Sequence, residues 1–304
     1  MLKSSSDMES LVKEILNKEK LEFNFIVKAS SGFTSLVYIV DDNYVIKLSK
    51  DDDIIKLIEK EVNVYKNLKC DFIPKLVKTG VQGEYTYVII TKLSGKSLFS
   101  VWHYLTEERR EDCVKQICEI LKFFHLQNKS VVGDKFINKN FLQDLKNRVA
   151  SNINLVSSFM QVQDVQEYFI SKFDEIFVQD KQSLIYNDAH FDNFLYNEGK
   201  VYLIDFDRVE YAPIDYELMI FKTMCDYPTK FASEIVEKLI HDEDFEKIYS
   251  YMQKYYSELF DIKNIEKRVF VYQFDYLLEQ ALESKNNKWA SSLIEQFRKF
   301  FSVC

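Results

Sequence analysis

Two aspartates, a histidine and two asparagines crowd into YNDAHFDN, residues 186–193, between the apolar runs SLI and FLY. A buried strand does not tolerate that density of polar groups, and an ordinary turn does not require it. Asp188 and Asn193 stand five residues apart on a loop that leaves one strand-like segment and enters another. Asp205 follows a second apolar run, KVYLI at 200–204. A carboxylate at a strand end, with a carboxylate and an amide on a neighbouring loop, can converge on one divalent ion and one hydroxyl. Mg²⁺ takes oxygen ligands of this kind and keeps water or phosphate oxygens in its shell. A carboxylate not spent on metal can accept the proton of an attacking alcohol. Alone, Asp188 and Asn193 also fit an Asx turn, so the surrounding elements must decide.

Those elements fall into two styles. Residues 7–18 carry Met8, Leu11, Ile15 and Leu16 at helical spacing, and 22–49 turn strand-like, with a hairpin turn at Asp41-Asp42-Asn43. Helical period returns over 53–69 and gives way to the β-rich run YTYVIITKL. Strands, one helix and more strands within the first 95 residues predict a small α+β unit. Beyond Gly95 the pattern is mostly helical, over 106–127, 142–178 and in several pieces over 230–302. The interruption is 183–209, with three short apolar strands around polar turns. The stretch 92–96, KLSGK, is the one boundary candidate.

Composition narrows the function. The chain has 304 residues, 47% of them hydrophobic, with 25 Phe and 19 Tyr against 6 Gly and 3 Pro, which describes an aromatic-packed folded protein. A net charge of −8 disfavours nucleic acid as a partner and suits a cationic small molecule. Cys70, Cys113, Cys118, Cys225 and Cys304 are scattered, with no CxxC pair, as expected of a reducing compartment. The N-terminus has no apolar signal core, and no run of about 18 apolar residues is present to cross a membrane. The expected location is cytoplasmic, without membrane partners; oligomeric state is not encoded.

YNDAHFDN followed by LIDFD resembles the catalytic and metal loops of the aminoglycoside phosphotransferase and choline kinase-like family, relatives of the protein kinases. The resemblance implies Asp188 as catalytic base, Asn193 as a metal ligand and Asp205 as the main metal ligand. It also implies a two-lobed α+β, protein-kinase-like fold. Residues 1–94 would form a nucleotide-binding lobe, an antiparallel sheet with one main helix after a leading helix. Residues 95–304 would form a mostly helical catalytic and substrate-binding lobe. In SSGFTSLVYIV, 30–40, Ser31, Gly32 and Thr34 would cover the phosphates. Lys47 in YVIKL would reach the α- and β-phosphates, and Glu61 on the next helix would orient it. In YVIITKLSGKSL, Ile90 is similar to a gatekeeper, with the Thr91 carbonyl and Leu93 amide placed to pair with a purine edge. Asp215 in APIDYEL would hold the metal-loop region in place. Two positions depart from the family: Tyr186 stands where His is usual, and Asn187 where Gly is usual.

The acceptor is thinly encoded. His190 could order the loop or approach a substrate hydroxyl. Aminoglycosides would call for carboxylates from the C-terminal helices, where Asp226, Asp242, Glu243, Asp244, Asp275, Glu279 and Glu283 are the candidates. The last three recur every four residues, a pattern that a solvated stripe also produces. A choline-like cation would favour an aromatic cage instead. The resemblance thus implies an ATP- or GTP-dependent, Mg²⁺-requiring O-phosphotransferase acting on a hydroxyl of a small acceptor, here expected to be cationic, such as an aminoglycoside. A sugar or macrolide kinase and a nucleotide-binding regulatory pseudokinase are the alternatives. Pseudokinases usually lack the lysine or a metal aspartate, and Lys47 and Asp205 are both present.

Overall fold

The structure, a computed structural model, describes residues 5–29, 35–179, 181–231 and 234–303. They form two compact units: 1–101 with 128–136 and 191–209, and 102–127 with 137–190 and 210–304.

The first unit is built on a five-stranded antiparallel sheet. Its strands are β1 (Ile26–Lys28), β2 (Leu36–Val40), β3 (Tyr44–Ser49), β4 (Leu76–Gln82) and β5 (Tyr85–Thr91), in the order β1-β2-β3-β5-β4. The β2–β3 turn puts Asp41 and Asp42 at φ 50° and 55°, the left-handed values that primed hairpin turns need to match strand twist. The Asp41 carboxylate accepts the Phe25 amide at 2.7 Å and so ties the start of β1 to this turn.

Strand periodicity then assigns the faces. Ile46, Leu48, Tyr87 and Ile89 join Met8, Leu11, Val12, Ile15 and Leu16 of helix α1 (Ser5–Lys18) in one buried cluster. Lys47 lies between Ile46 and Leu48, so its side chain leaves by the opposite face. That face meets helix α2 (Asp52–Asn67), which starts where the Asp51 carboxylate accepts the Asp53 and Ile54 amides. Covered on both sides, β5 is nearly continuously apolar. The unit is completed by β6 (Lys96–Ser97), the short helix α3 (Leu98–Val101), and β8 (Phe194–Asn197) with β9 (Lys200–Leu203). These three strands form an antiparallel sheet in the order β6-β8-β9.

The second unit is mostly helical. Its α4 (Glu107–His125) is capped by the Thr106 hydroxyl. The helical pattern over 142–178 is realised as two helices, α5 (Phe141–Val156) and α6 (Gln163–Ile176). Ser158 Oγ donates back to the Leu155 carbonyl at 2.9 Å in the break between them, one of the local bonds by which serine competes with helix continuation. Strand β7 (Gln182–Ile185) pairs antiparallel with β10 (Glu210–Pro213). After β10 come α7 (Leu218–Asp226), α8 (Glu234–Glu237), α9 (Ile248–Tyr255), α10 (Ile265–Glu283) and α11 (Asn287–Phe301). Helix α10 is buried on nearly every side, from Arg268 to Ala281, and packs against α5, α7 and α11. No helix among the described residues is long and apolar enough to cross a membrane.

Candidate active site

In the first unit, Lys47 is the centre of an ion triad. Its Nζ donates to Glu61 Oε1 at 2.8 Å and to Asp205 Oδ1 at 2.9 Å. Burial pulls the ammonium toward the neutral form, but the Asp205 and Glu61 charges outweigh it and hold the pKa above the usual lysine range. Glu61 is 1% exposed and accepts two further bonds on the same oxygen, from Tyr65 Oη at 2.7 Å and the Phe206 amide at 3.3 Å. Tyr65 meets the Phe206 ring edge-on at 5.3 Å. One glutamate thus fixes both the lysine and the backbone just after Asp205.

Asp205 itself sits at φ 64°, a left-handed conformation that a non-glycine residue adopts at some cost. The preceding residue is fastened, since the Ile204 amide donates to the Asn193 carbonyl at 3.0 Å. Asn193 is buried, whereas the Asp205 side chain is 41% exposed. Asp207, which the sequence reading passed over, belongs to this group. Burial and the Asp205 charge push its carboxyl up to about 6. Its signal was in plain view as the second aspartate of DFD. Ser31, Gly32 and Thr34 lie outside the described residues. Ile90 is buried within β5, Thr91 closes that strand with its amide on the Lys75 carbonyl at 2.9 Å, and Leu93 lies two residues beyond.

In the second unit, Asp188 has His190 as a neighbour, with His190 Nε2 3.5 Å from Asp188 Oδ2; the His190 side chain is 22% exposed and the Asp188 side chain 29%. The approach to Asp188 is set by Glu217, which is 1% exposed. Its two carboxylate oxygens accept the Tyr186 amide at 2.8 Å and the Asn187 amide at 3.2 Å. Asn187 has φ 62°, a left-handed value that asparagine and glycine tolerate better than other residues. Tyr186 is fully buried and packs edge-on against Phe124 at 6.2 Å. His125 Nε2 approaches Glu217 at 3.4 Å and its Nδ1 meets Tyr256 Oη at 2.8 Å, so the anchor is itself braced.

Glu217 is not signalled by the sequence, where Asp215 is the acidic residue expected to hold the metal-loop region in place. Asp215 instead faces Arg268, in a fork of 2.6 Å and 2.8 Å with both groups fully buried. The two residues lie in one 3₁₀ turn, Ile214–Glu217, and only their directions separate the roles. Among the acceptor candidates, Asp226 pairs with Lys222 and accepts Gln273 Nε2 at 2.9 Å. Asp275 is buried and accepts Arg148 Nη2 at 2.6 Å, while Glu279 and Glu283 are exposed.

An antiparallel sheet with one long helix carrying a Lys–Glu pair, followed by a mainly helical unit, defines the protein-kinase-like fold class. Within it, the phosphotransferase enzyme family model matches residues 26–249, and the chain belongs to that family. No curated protein matches the chain. Among solved structures it is similar to the GDP complex of wild-type aminoglycoside 2'-phosphotransferase-IIIa, at 15% identity and TM-score 0.68, covering 96% of this chain and 98% of that one. The streptomycin-ATP-APH(2")-IIa ternary complex gives 17% identity and TM-score 0.66, covering 98% and 97%. Choline kinase from Cryptosporidium parvum Iowa II gives 12% identity and TM-score 0.56, covering 96% and 94%.

Proposed function

We propose that the protein is a small-molecule O-phosphotransferase that moves the γ-phosphoryl group of ATP or GTP to an acceptor hydroxyl. The observation that carries the reading is the Lys47–Glu61–Asp205 triad, a charge arrangement with little structural need on a partly exposed sheet face. Both purines stay open because the similar structures include GDP complexes and an ATP complex. In this reading residues 1–94 bind nucleotide and 95–304 carry the base and the acceptor.

The oxygen donors suit a hard cation. Asp205 and Asn193 would hold Mg²⁺, beside Asp207, and among the described residues no trio of His, Cys, Asp or Glu is grouped to cage a metal alone. Few protein ligands are what Mg²⁺ takes when phosphates complete its shell. Bound there, it would neutralise charge building on the transferred group. Lys47 has three donors, and two are engaged by Glu61 and Asp205, which leaves one for phosphate oxygens. Asp188 takes the acceptor proton as the acceptor oxygen bonds to the γ-phosphorus. The bond from that phosphorus to the bridging oxygen breaks, and ADP or GDP leaves. The acceptor is a small molecule, and the net charge of −8 favours a cationic one, a class that runs from polyammonium aminoglycosides to amino alcohols with a single ammonium. The cellular setting that suits such chemistry is the cytoplasm, where nucleotide and reduced thiols coexist.

Asp188→Asn is expected to keep nucleotide affinity within about twofold while turnover falls by roughly 10²–10⁴. Parallel nucleotide titration and phosphate-transfer assays over an acceptor panel measure both. Undiminished turnover in the variant would remove Asp188 as the base. Nucleotide binding without transfer to any acceptor would point to a regulatory nucleotide-binding role.

A further inference from the structure

Three rings from three separate elements line up beside Asp188. His190 lies on the loop, Phe231 ends the 3₁₀ turn Pro228–Phe231, and Tyr276 is in the middle of α10. His190 and Phe231 have centroids 5.8 Å apart and planes 13° from parallel; Phe231 and Tyr276 follow at 6.1 Å and 11°. Offset parallel stacking is a favoured aromatic geometry, but cores usually mix it with edge-on contacts. All three rings are only partly buried, so the series is a surface feature and not a core one.

The charges around this stair are largely spent. Asp226 is paired with Lys222, and Asp275 with Arg148. Lys230, next to Phe231, lies over the Trp289 ring at 4.2 Å, and among the described residues no carboxylate forms an ion pair with it. Burial alone lowers its pKa. Glu279, one turn beyond Tyr276, is left to solvent. A polyammonium acceptor needs several uncompensated carboxylates, and among the described residues this face supplies few.

We infer that the His190–Phe231–Tyr276 stair is the acceptor platform, and that the acceptor is a hydroxyl-bearing molecule with a flat unsaturated ring and at most one ammonium group. This rests on the phosphotransferase reading and narrows its acceptor. A ring stacked on the stair extends the parallel series, and a hydroxyl on its substituent can reach toward Asp188, two residues from the first step. The bonds made and broken are those given above.

The test compares phosphate transfer from ATP and GTP to an aminoglycoside, choline, 2-phenylethanol and a nucleoside. Ring-bearing alcohols are expected to show kcat/KM at least about tenfold above the aminoglycoside, the worth of one good stacking contact. Tyr276→Leu should raise their KM about tenfold, while Tyr276→Phe, which keeps the ring, should restore it. Preference for the aminoglycoside, or equal KM in the Leu and Phe variants, would overturn the platform and leave the phosphotransferase reading standing. If nothing is phosphorylated, the phosphotransferase reading fails. Ligand-observed NMR then decides the stair: ring-proton saturation transfer to wild type and the Phe variant but not to the Leu variant supports it, and its absence from wild type overturns it.

Discussion

At the scale of single residues, the loop before Asp188 is held by one carboxylate with two oxygens doing separate jobs. Glu217 accepts the Tyr186 and Asn187 amides on different oxygens, and Asn187 can stay left-handed because of that grip. Glu217→Gln presents an NH₂ where one amide needs an acceptor. Charge-assisted bonds of this type contribute roughly 1.5–3 kcal/mol, so kcat should fall about 10- to 100-fold with nucleotide affinity little changed. Single-turnover kinetics beside nucleotide titration read the split; unchanged kcat with lowered stability would make Glu217 a fold residue alone. The spacing of Asp188, Asn193 and Asp205, and the order of Lys47 and Glu61, were legible because backbone connectivity dictates them. Glu217 was not, because Asp215 and Glu217 are both acidic and lie in one turn. Which carboxylate faces the loop depends on Arg268, more than fifty residues later, taking the other.

At the scale of elements, the sheet of the first unit depends on a close approach between β4 and β5. Gly80 pairs with Tyr87, and a Cβ on Gly80 would lie 2.6 Å from the Tyr87 hydroxyl oxygen. Tyr87 is fully buried and donates to Glu19 at 2.5 Å, so it has little room to retreat. Gly80→Ala is therefore expected to cost roughly 1–3 kcal/mol, the usual price of overpacking, read as a lower urea midpoint. Adding Tyr87→Phe should return part of the loss; no recovery would locate the strain elsewhere. Local periodicity was enough to read α1, α2 and the β2–β3 hairpin. Pairing was harder: the strands of 183–209 do not share one sheet, because β7 takes β10 and β8–β9 take β6 as partners. β6 is two residues long and β10 ends in proline, too little apolar alternation to announce either.

At the scale of the whole molecule, the net charge of −8 does not describe the interior, where buried carboxylates are met by cations or, at Glu217, by backbone amides. Asp215 has Arg268, Glu61 has Lys47, and Asp275 has Arg148. Asp275 is the least well served. Burial pushes its carboxyl up to about 6 despite the Arg148 charge, with Glu279 adding to the rise and Tyr216 close by. Its folded-state pKa thus lies above the unfolded value of 3.8, so the folded chain binds this proton more tightly. The stability it contributes is full below about pH 4 and is lost as pH rises through 6. Asparagine at 275 cannot titrate. Relative to Asp275→Asn, the wild type should gain about 1–3 kcal/mol on going from pH 7 to pH 4, measured by urea unfolding at each pH. A difference between the two proteins that stays flat over that range would mean that Arg148 fully compensates Asp275, and that burial does not govern its proton.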